Sequence, residues 1–154
     1  MESNAHIVEY WKTQPEVLEA CLKNSLPLTE NFVKLYKEVS PTHLYLVGSG
    51  TSLNAEETAV SFMKEMLDID VISMPSSYVH DMFLSQGGSS TNTLKAMEEM
   101  AAYPYITVTG EETCEIAARS PHHMIIGCGE EPVGPKTVGY TASVMILYLM
   151  AMEA

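Results

Sequence analysis

The sequence predicts a three-layer α/β domain built around a parallel β-sheet, and three observations carry that prediction. Short, continuous apolar runs such as His43–Val47 are typical of strands buried on both faces of a sheet. Segments in which apolar residues recur with helical spacing alternate with these runs. The turns between them are short and rich in Gly, Ser and Thr, as in folds that join parallel strands through helices. The length of 154 residues suits one domain.

The first forty residues predict two helices that precede the sheet. Apolar residues from Ile7 to Leu22 fall on one side of a helix, which Pro15 is expected to break or restart. A second amphipathic helix is predicted to end near Ser40. We interpret residues 1–40 as a helical arm that packs on the core or on a second subunit, and residues 41–154 as the α/β domain.

The remaining elements follow in order after the arm. We predict the strands His43–Val47, Asp70–Ser73, Tyr105–Thr109 and Met124–Gly127, and the helices Leu53–Leu67, Ser90–Ala101, Glu112–Ala118 and Thr137–Met152. In such sheets, ligands bind beyond the carboxyl ends of the strands, near the point where the strand order reverses. Three loops are therefore candidates for a binding site: Gly48–Ser52, Ser85–Ser90 and Gly129–Thr137.

The charge balance narrows the class of ligand. Lys and Arg number 8 against 20 Asp and Glu, which gives a formal net charge of −12. An acidic surface repels nucleic-acid backbones, so we expect no nucleic-acid partner. A phosphate ester is compatible with this charge, because backbone amides and hydroxyls bind phosphate without a net positive charge.

Neither a membrane span nor a disulfide framework is predicted. The longest apolar stretch, Val144–Met152, is too short to cross a bilayer and is expected to form a buried helix. The N-terminus lacks the pattern of a secretory signal, and the three cysteines are odd in number and widely spaced. We therefore expect a cytoplasmic protein.

Histidines and cysteines give weaker candidates. His122 and His123 lie near Cys114 and Cys128 in sequence, but no C-x-x-C or H-x3-H spacing is present, so we expect no metal. The two histidines are interpreted as a pair at a strand edge. An acid–base role for His80, which precedes the second loop, is an alternative, and Cys128 lacks an identifiable base.

The loop Gly48–Ser52 joins a predicted buried strand to a helix. Its glycines let the backbone approach a ligand, the helix start supplies free N–H groups, and Thr51 and Ser52 add hydroxyl donors. Neither G-x-G-x-x-G nor G-K-[ST] spacing is present, so the loop is neither a dinucleotide fingerprint nor a P-loop. The alternative is a plain strand-to-helix turn capped by Ser52 or Thr51.

The segment Ser85–Thr93 consists of small and polar residues before a predicted helix. Most of them carry a hydroxyl or a side-chain amide, which is more than one helix cap requires. Several neutral donors around a helix N-terminus are what a phosphate monoester needs. The alternative is a flexible surface loop.

The third loop, Gly129–Thr141, contains two carboxylates and a lysine before the last helix. Glu130 or Glu131 is a candidate proton-transferring base if partly buried, and Lys136 is a candidate contact for an anion. Alternatively, the glutamates are solvated and Lys136 pairs with one of them.

Together the three loops resemble the SIS (sugar isomerase) domain family. The resemblance is carried by Leu46–Ala55, Ser85–Thr93 and Glu131–Thr141, and Tyr10–Leu18 is similar to the leading helix of the isomerase half of glucosamine-6-phosphate synthase and related deglycases. It implies a flavodoxin-like domain of five parallel strands that binds a phosphosugar without a metal or organic cofactor. It also implies the binding residues, which are Gly50, Thr51 and Ser52 beside the sugar, Ser85, Gln86, Gly88, Ser90 and Thr91 around the phosphate, and Gly134 and Lys136 on the sugar side.

The sequence departs from the family pattern at three points. Gly87 stands where the family's S-Q-S-G motif has its second serine. The segment Ser76–Leu84 is shorter than the family's helix, linker and strand, which leaves Met82–Leu84 for a strand; that sheet position is truncated, or chain is missing. The synthase and deglycase relatives carry two SIS domains, with the ring-opening and proton-transfer residues largely in the second, and one copy is present here.

Three functions are compatible with this resemblance. The first is aldose–ketose isomerisation or C–N cleavage of an amino-sugar phosphate through an enediol or enolamine, with Glu131 as the candidate base. The second is non-catalytic phosphosugar sensing, and the third is a structural or dimerising domain. A homodimer or larger homo-oligomer is expected in each case, because the Met-rich last helix and the leading helices offer apolar surface.

Overall fold

The fold centres on a five-stranded, all-parallel sheet, seen in a computed structural model that describes residues 2–76, 83–85, 91–129, 131 and 136–154. The strands are β1 (His43–Gly48), β2 (Asp70–Pro75), β3 (Phe83–Ser85), β4 (Thr107–Thr109) and β5 (His123–Ile125). Their order across the sheet is β2-β1-β3-β4-β5, with every neighbouring pair parallel. This is the flavodoxin-like order of a doubly wound sheet, so the predicted fold class is confirmed.

Helices cover both faces of the sheet. Within the described residues they are α1 (Glu2–Lys23), α2 (Ser25–Val39), α3 (Thr51–Leu67), α4 (Thr91–Glu99), α5 (Glu115–Arg119) and α6 (Val138–Glu153). Consecutive side chains of β1 point to opposite faces: Leu46 joins a core with α3 and α6, and Val47 joins a second core with α4 and α5. The result is three layers, with α1 and α2 packed against α6.

The first helix runs through Pro15 without a break, so the expected interruption there is wrong. A proline removes one backbone hydrogen bond, to the carbonyl of Trp11 four residues earlier. Pro15 and Trp11 are both exposed, and water can therefore satisfy that carbonyl. The helix is fixed further along by Cys21, which is buried in the core.

The last helix is the centre of the larger core. Ile146, Leu147 and Met150 have no exposed surface, and α6 contacts α1, α2 and α3. Its apolar residues lie all round the helix because it has neighbours on most sides. The prediction of a buried helix is confirmed, whereas the expectation that α6 offers apolar surface for self-association is wrong except at Met152, which is exposed. In the described part of the chain, no helix is long and apolar enough to cross a membrane.

The short strand β3 occupies the centre of the sheet. Phe83 pairs with Val47 of β1 on one side and with Thr107 of β4 on the other. The brevity of Ser76–Leu84 therefore leaves a sheet position that is shortened to three residues but filled.

Candidate functional site

The strand order reverses between β1 and β3. From β1 the chain passes through α3 to β2 on one side, and β3 lies on the other side of β1. The segments that follow β1 and β3 therefore leave the same edge of the sheet at adjacent strands, and each leads into a helix, α3 or α4. Ligands of doubly wound sheets bind at such a point.

The loop after β1 leaves a helix start open to a ligand. Gly50 is the residue before α3, with φ +57° and ψ −128°, a conformation that a residue with a side chain adopts only at a cost. Among the described residues, no atom lies within 4 Å of the position that a Cβ on Gly50 would take, and no side chain caps α3. Thr51 is half-buried and Ser52 is buried. Backbone N–H groups at such a helix start favour an anion.

The segment after β3 begins and ends at the same edge. The backbone of Ser85 ends β3, paired with Thr109 of β4, and Thr91 is the exposed first residue of α4. The predicted phosphate-binding residues between them, Gln86, Gly88 and Ser90, lie outside the described residues, as do His80 and Gly134.

Glu131 is held at the N-terminus of α6. Its Oε1 accepts hydrogen bonds from the backbone N and the Oγ1 of Thr137 at 2.8 and 2.7 Å, and its Oε2 accepts one from the backbone N of Gly139 at 2.9 Å. The side chain is buried, at 3% exposure. A carboxylate in this position satisfies helix N–H groups and interacts favourably with the helix dipole.

Lys136 contacts the same turn. Its Nζ donates to the backbone carbonyl of Glu131, so it bonds the glutamate's main chain rather than its carboxylate. The start of α6 in turn lies beside α3, because the hydroxyls of Tyr140 and Thr58 are 2.9 Å apart. The helix that follows the first candidate loop therefore packs against the helix that follows the third.

Glu56 is a buried acid at this edge that the sequence reasoning missed. It lies one helical turn after Ser52 and is 0% exposed. Burial raises the pKa of Glu56 well above its ordinary value of 4.5, the charge of Glu57 raises it further, and the Ser73 hydroxyl acts in the opposite sense. The signal was available in the sequence, because Glu56, Ala59 and Met63 share the spacing of one helix face.

His123 and Cys128, two of the candidates predicted from the sequence, lie in surroundings that suit a structural role. His123 is on β5, an edge strand, where its Nδ1 and Nε2 lie 3.0 and 3.2 Å from the Oγ1 atoms of Thr107 and Thr109. Burial lowers the pKa of His123, with Glu112 acting the other way. Burial also raises the pKa of the Cys128 thiol to about 11, which leaves little thiolate at neutral pH. Among the described residues, no three His, Cys, Asp or Glu side chains group as metal ligands.

Comparison with solved structures shows that other proteins share this fold. The sequence matches no protein-family model and no curated protein sequence. A candidate phosphosugar isomerase from Clostridium difficile 630 superposes with a TM-score of 0.85 at 25% identity, covering 96% of this chain and 45% of that one. The C-terminal domain of glucosamine-fructose-6-phosphate aminotransferase from Francisella tularensis gives 0.79 at 17% identity, over 95% of this chain and 46% of that one.

A shorter neighbour matches over most of its own length. An Escherichia coli CFT073 protein in complex with A5P superposes with a TM-score of 0.70 at 11% identity, covering 96% of this chain and 87% of that one. The fold is thus a doubly wound α/β domain whose strand order reverses at the β1/β3 switch. More particularly, it is the SIS-type fold of the phosphosugar isomerases. The chain spans less than half the length of the Clostridium difficile protein.

Proposed function

We propose that this chain binds a phosphorylated sugar or amino sugar of the hexose 6-phosphate type at the β1/β3 edge of the sheet. The observation that carries the proposal is the open start of α3 at Gly50, located where the strand order reverses. A site for a phosphate ester needs donors rather than net positive charge, which agrees with the chain's charge of −12. The neighbour in complex with A5P, a sugar phosphate, supports this class of ligand.

The proposed contacts follow the family resemblance. Gly50, Thr51 and Ser52 border the sugar, and Gly134 and Lys136 line the sugar side. The phosphate is bound by residues at the end of β3 and after it, which are Ser85, Gln86, Gly88, Ser90 and Thr91. Ser85, which ends β3, and Thr91, which begins α4, flank this segment. Their positions next to the β1/β3 edge support the assignment of the phosphate to this segment.

Sugar phosphates are expected to raise the melting temperature of the protein. A specific ligand at a hundred times its Kd stabilises a fold by about 2.7 kcal/mol. Thermal-shift titrations with fructose 6-phosphate and glucosamine 6-phosphate measure this, with the unphosphorylated sugars and inorganic phosphate as controls. Absence of a shift with both sugar phosphates would contradict the proposed function.

Two substitutions test whether the segment after β3 binds the phosphate. Ser90→Ala and Ser85→Ala should each weaken sugar-phosphate binding by roughly 1–3 kcal/mol, because a charged phosphate loses a donor. Ser61→Ala, on the exposed side of α3, is the matched control and should leave the Kd unchanged. Unchanged affinity in both site variants would mean that this segment does not bind the phosphate.

Turnover is a separate question from binding. We propose that the complete form catalyses aldose–ketose isomerisation or deamination and deglycation through an enediol or enolamine, for which Glu131 is the candidate base. A second candidate function, sensing without turnover, is supported by the three hydrogen bonds that already occupy both carboxylate oxygens of Glu131. Exchange of a C1 hydrogen of fructose 6-phosphate for deuterium in deuterated water, followed by NMR, distinguishes the two, because enediol formation removes a proton from that carbon.

We also propose that the chain acts in the cytoplasm as a homodimer or larger homo-oligomer. Three free thiols agree with a reducing compartment. Trp11 and Leu26, on α1 and α2, are 60% and 66% exposed, which is unusual for large apolar side chains. Trp11→Glu should shift the protein towards monomer in sedimentation velocity, whereas Thr13→Glu, also exposed, should not. A wild-type monomer at high concentration would contradict this proposal.

A further inference from the structure

The carboxyl group of Glu56 lies against the residue from which the candidate sugar loop starts. A Cβ built on Gly48, the last residue of β1, would lie 2.5 Å from Oε1 and 3.1 Å from Oε2 of Glu56. Gly48 also links the ends of β1 and β2, since its backbone carbonyl accepts a hydrogen bond from the backbone N of Ser76 at 2.8 Å. Any displacement of the Glu56 carboxyl towards β1 therefore moves the base of the loop Gly48–Ser52.

The carboxyl lies among few polar groups in the part of the chain that the structure describes. Both oxygens of Glu56 are fully buried without a well-formed hydrogen bond, as are the hydroxyls of Ser73 and Ser76 on the β2 side, and only the Ser73 hydroxyl acts to favour the ionised form. None of the described Lys, Arg or His side chains forms an ion pair with it. An isolated carboxylate in such surroundings is very unfavourable, whereas the neutral acid is tolerated.

The described elements around Glu56 show no positive charge paired with it. On α3 itself the adjacent charge is Glu57, which also disfavours ionisation. The strand β3 contains no ionisable residue, and at the start of α6 Tyr140 bonds Thr58, while Lys136 bonds the backbone carbonyl of Glu131. The titratable residues of β1 and β2 other than Tyr45 lie at the opposite, amino end of the sheet, where His43 and Asp70 are 3.9 Å apart and Lys64 also contacts Asp70. Tyr45 packs on the other face, with the α4 and α5 core.

We propose that Glu56 is a positioning residue for the sugar-phosphate site: its neutral carboxyl fixes Gly48 and the loop Gly48–Ser52 in the binding conformation, and its ionisation displaces that loop. The inference rests on the proposed function for its ligand, but not for the burial and protonation of Glu56. Ionisation favours movement of the carboxyl towards water or further donors, and Gly48 is a backbone neighbour that such a movement disturbs. Sugar-phosphate affinity then follows the fraction of protein in which Glu56 is protonated.

The direction of the pH effect follows from the raised pKa. Below the ordinary pKa of 4.5, Glu56 is protonated whether the chain is folded or unfolded, so it contributes nothing to the pH dependence of stability. Above that value the unfolded chain releases the proton and the folded chain does not, so stability falls as pH rises. The fall levels off once the pH exceeds the pKa of the folded protein.

The test compares binding and stability of the wild type with Glu56→Gln, a neutral side chain of the same shape. Fructose 6-phosphate is titrated calorimetrically at low temperature from about pH 5 to the highest pH at which the protein stays folded, and the Gln variant serves as the reference for ionisation of the phosphate itself (second pKa about 6). The ratio of wild-type affinity to that of the Gln variant should fall about tenfold per pH unit once Glu56 ionises. Glu57→Gln, an exposed neighbour, is the matched control and should keep a pH-dependent profile.

Parallel profiles for wild type and Glu56→Gln, whether flat or sloping, would overturn the proposal. A second measurement needs no ligand: the carboxyl carbon of Glu56 in 13C-glutamate-labelled protein should titrate well above its ordinary pH, together with faster amide exchange at Gly48–Ser52. Absence of that titration would also overturn the proposal, even if the variant failed to fold. If this titration occurs and no sugar phosphate binds at any pH, the proposed function fails and the role of Glu56 as a neutral buried acid survives.

Discussion

Glu131→Ala is expected to lower the free energy of unfolding by about 3 kcal/mol, because hydrogen bonds to a charged group contribute about 1.5–3 kcal/mol each and their losses are not additive. The substitution removes the acceptor of three hydrogen bonds, from Thr137 and Gly139, and leaves the start of α6 without its cap. These donors are buried or half-buried, so water replaces the carboxylate poorly. The helix concerned carries the centre of the larger core.

Urea unfolding measured for Glu131→Ala and Glu131→Gln distinguishes a structural role from a chemical one. Gln keeps one acceptor oxygen, so it should recover part of the lost stability. Glu99→Ala, at an exposed position near the end of α4, is the control and should change the unfolding free energy by less than about 0.5 kcal/mol. Unchanged stability in Glu131→Ala, together with lost turnover, would mean that Glu131 acts as a base and not as a cap.

The order of elements could be predicted because apolar runs and turn residues are local signals. His43–Val47 is continuous and apolar, and it does form the buried β1 before the Gly-rich turn. The exception is Pro15, because whether a proline breaks a helix depends on which side of the helix it faces. Its exposure is a property of the packed α1 and cannot be read from the neighbouring residues.

The candidate site was harder to predict, because acidic residues are normally interpreted as solvated. Glu131 was expected to be either solvated or a partly buried base, and the third possibility, a cap for α6, depends on a contact six to eight residues along the chain. Glu56 was overlooked for the same reason, although it lies on the apolar side of α3. Periodicity identifies which face of a helix is buried, but not that Gly48 of β1 leaves space there for a carboxyl group.

Gly48→Ala is expected to lower the free energy of unfolding by about 2 kcal/mol, because overpacking a buried site costs about 1–3 kcal/mol. The reason is contact rather than backbone strain. Gly48 lies in strand β1, and the added methyl would lie 2.5 Å from a carboxyl oxygen of Glu56, a fully buried side chain that must shift to admit it. The same methyl pushes on the loop Gly48–Ser52, so sugar-phosphate affinity should fall with stability.

A double-mutant cycle tests whether that contact is the cause. Glu56→Ala removes the obstructing carboxyl, so Gly48→Ala should cost at least about 1 kcal/mol less in that background than in the wild type. Gly50→Ala is the matched control: its cost comes from the backbone at φ +57°, and no atom of the described residues lies within 4 Å of the new methyl, so this cost should be the same in both backgrounds. Equal costs for Gly48→Ala with and without Glu56 would mean that the carboxyl does not press on the base of the loop. Since the proposed pH dependence acts through this same contact, that outcome would also remove its structural basis.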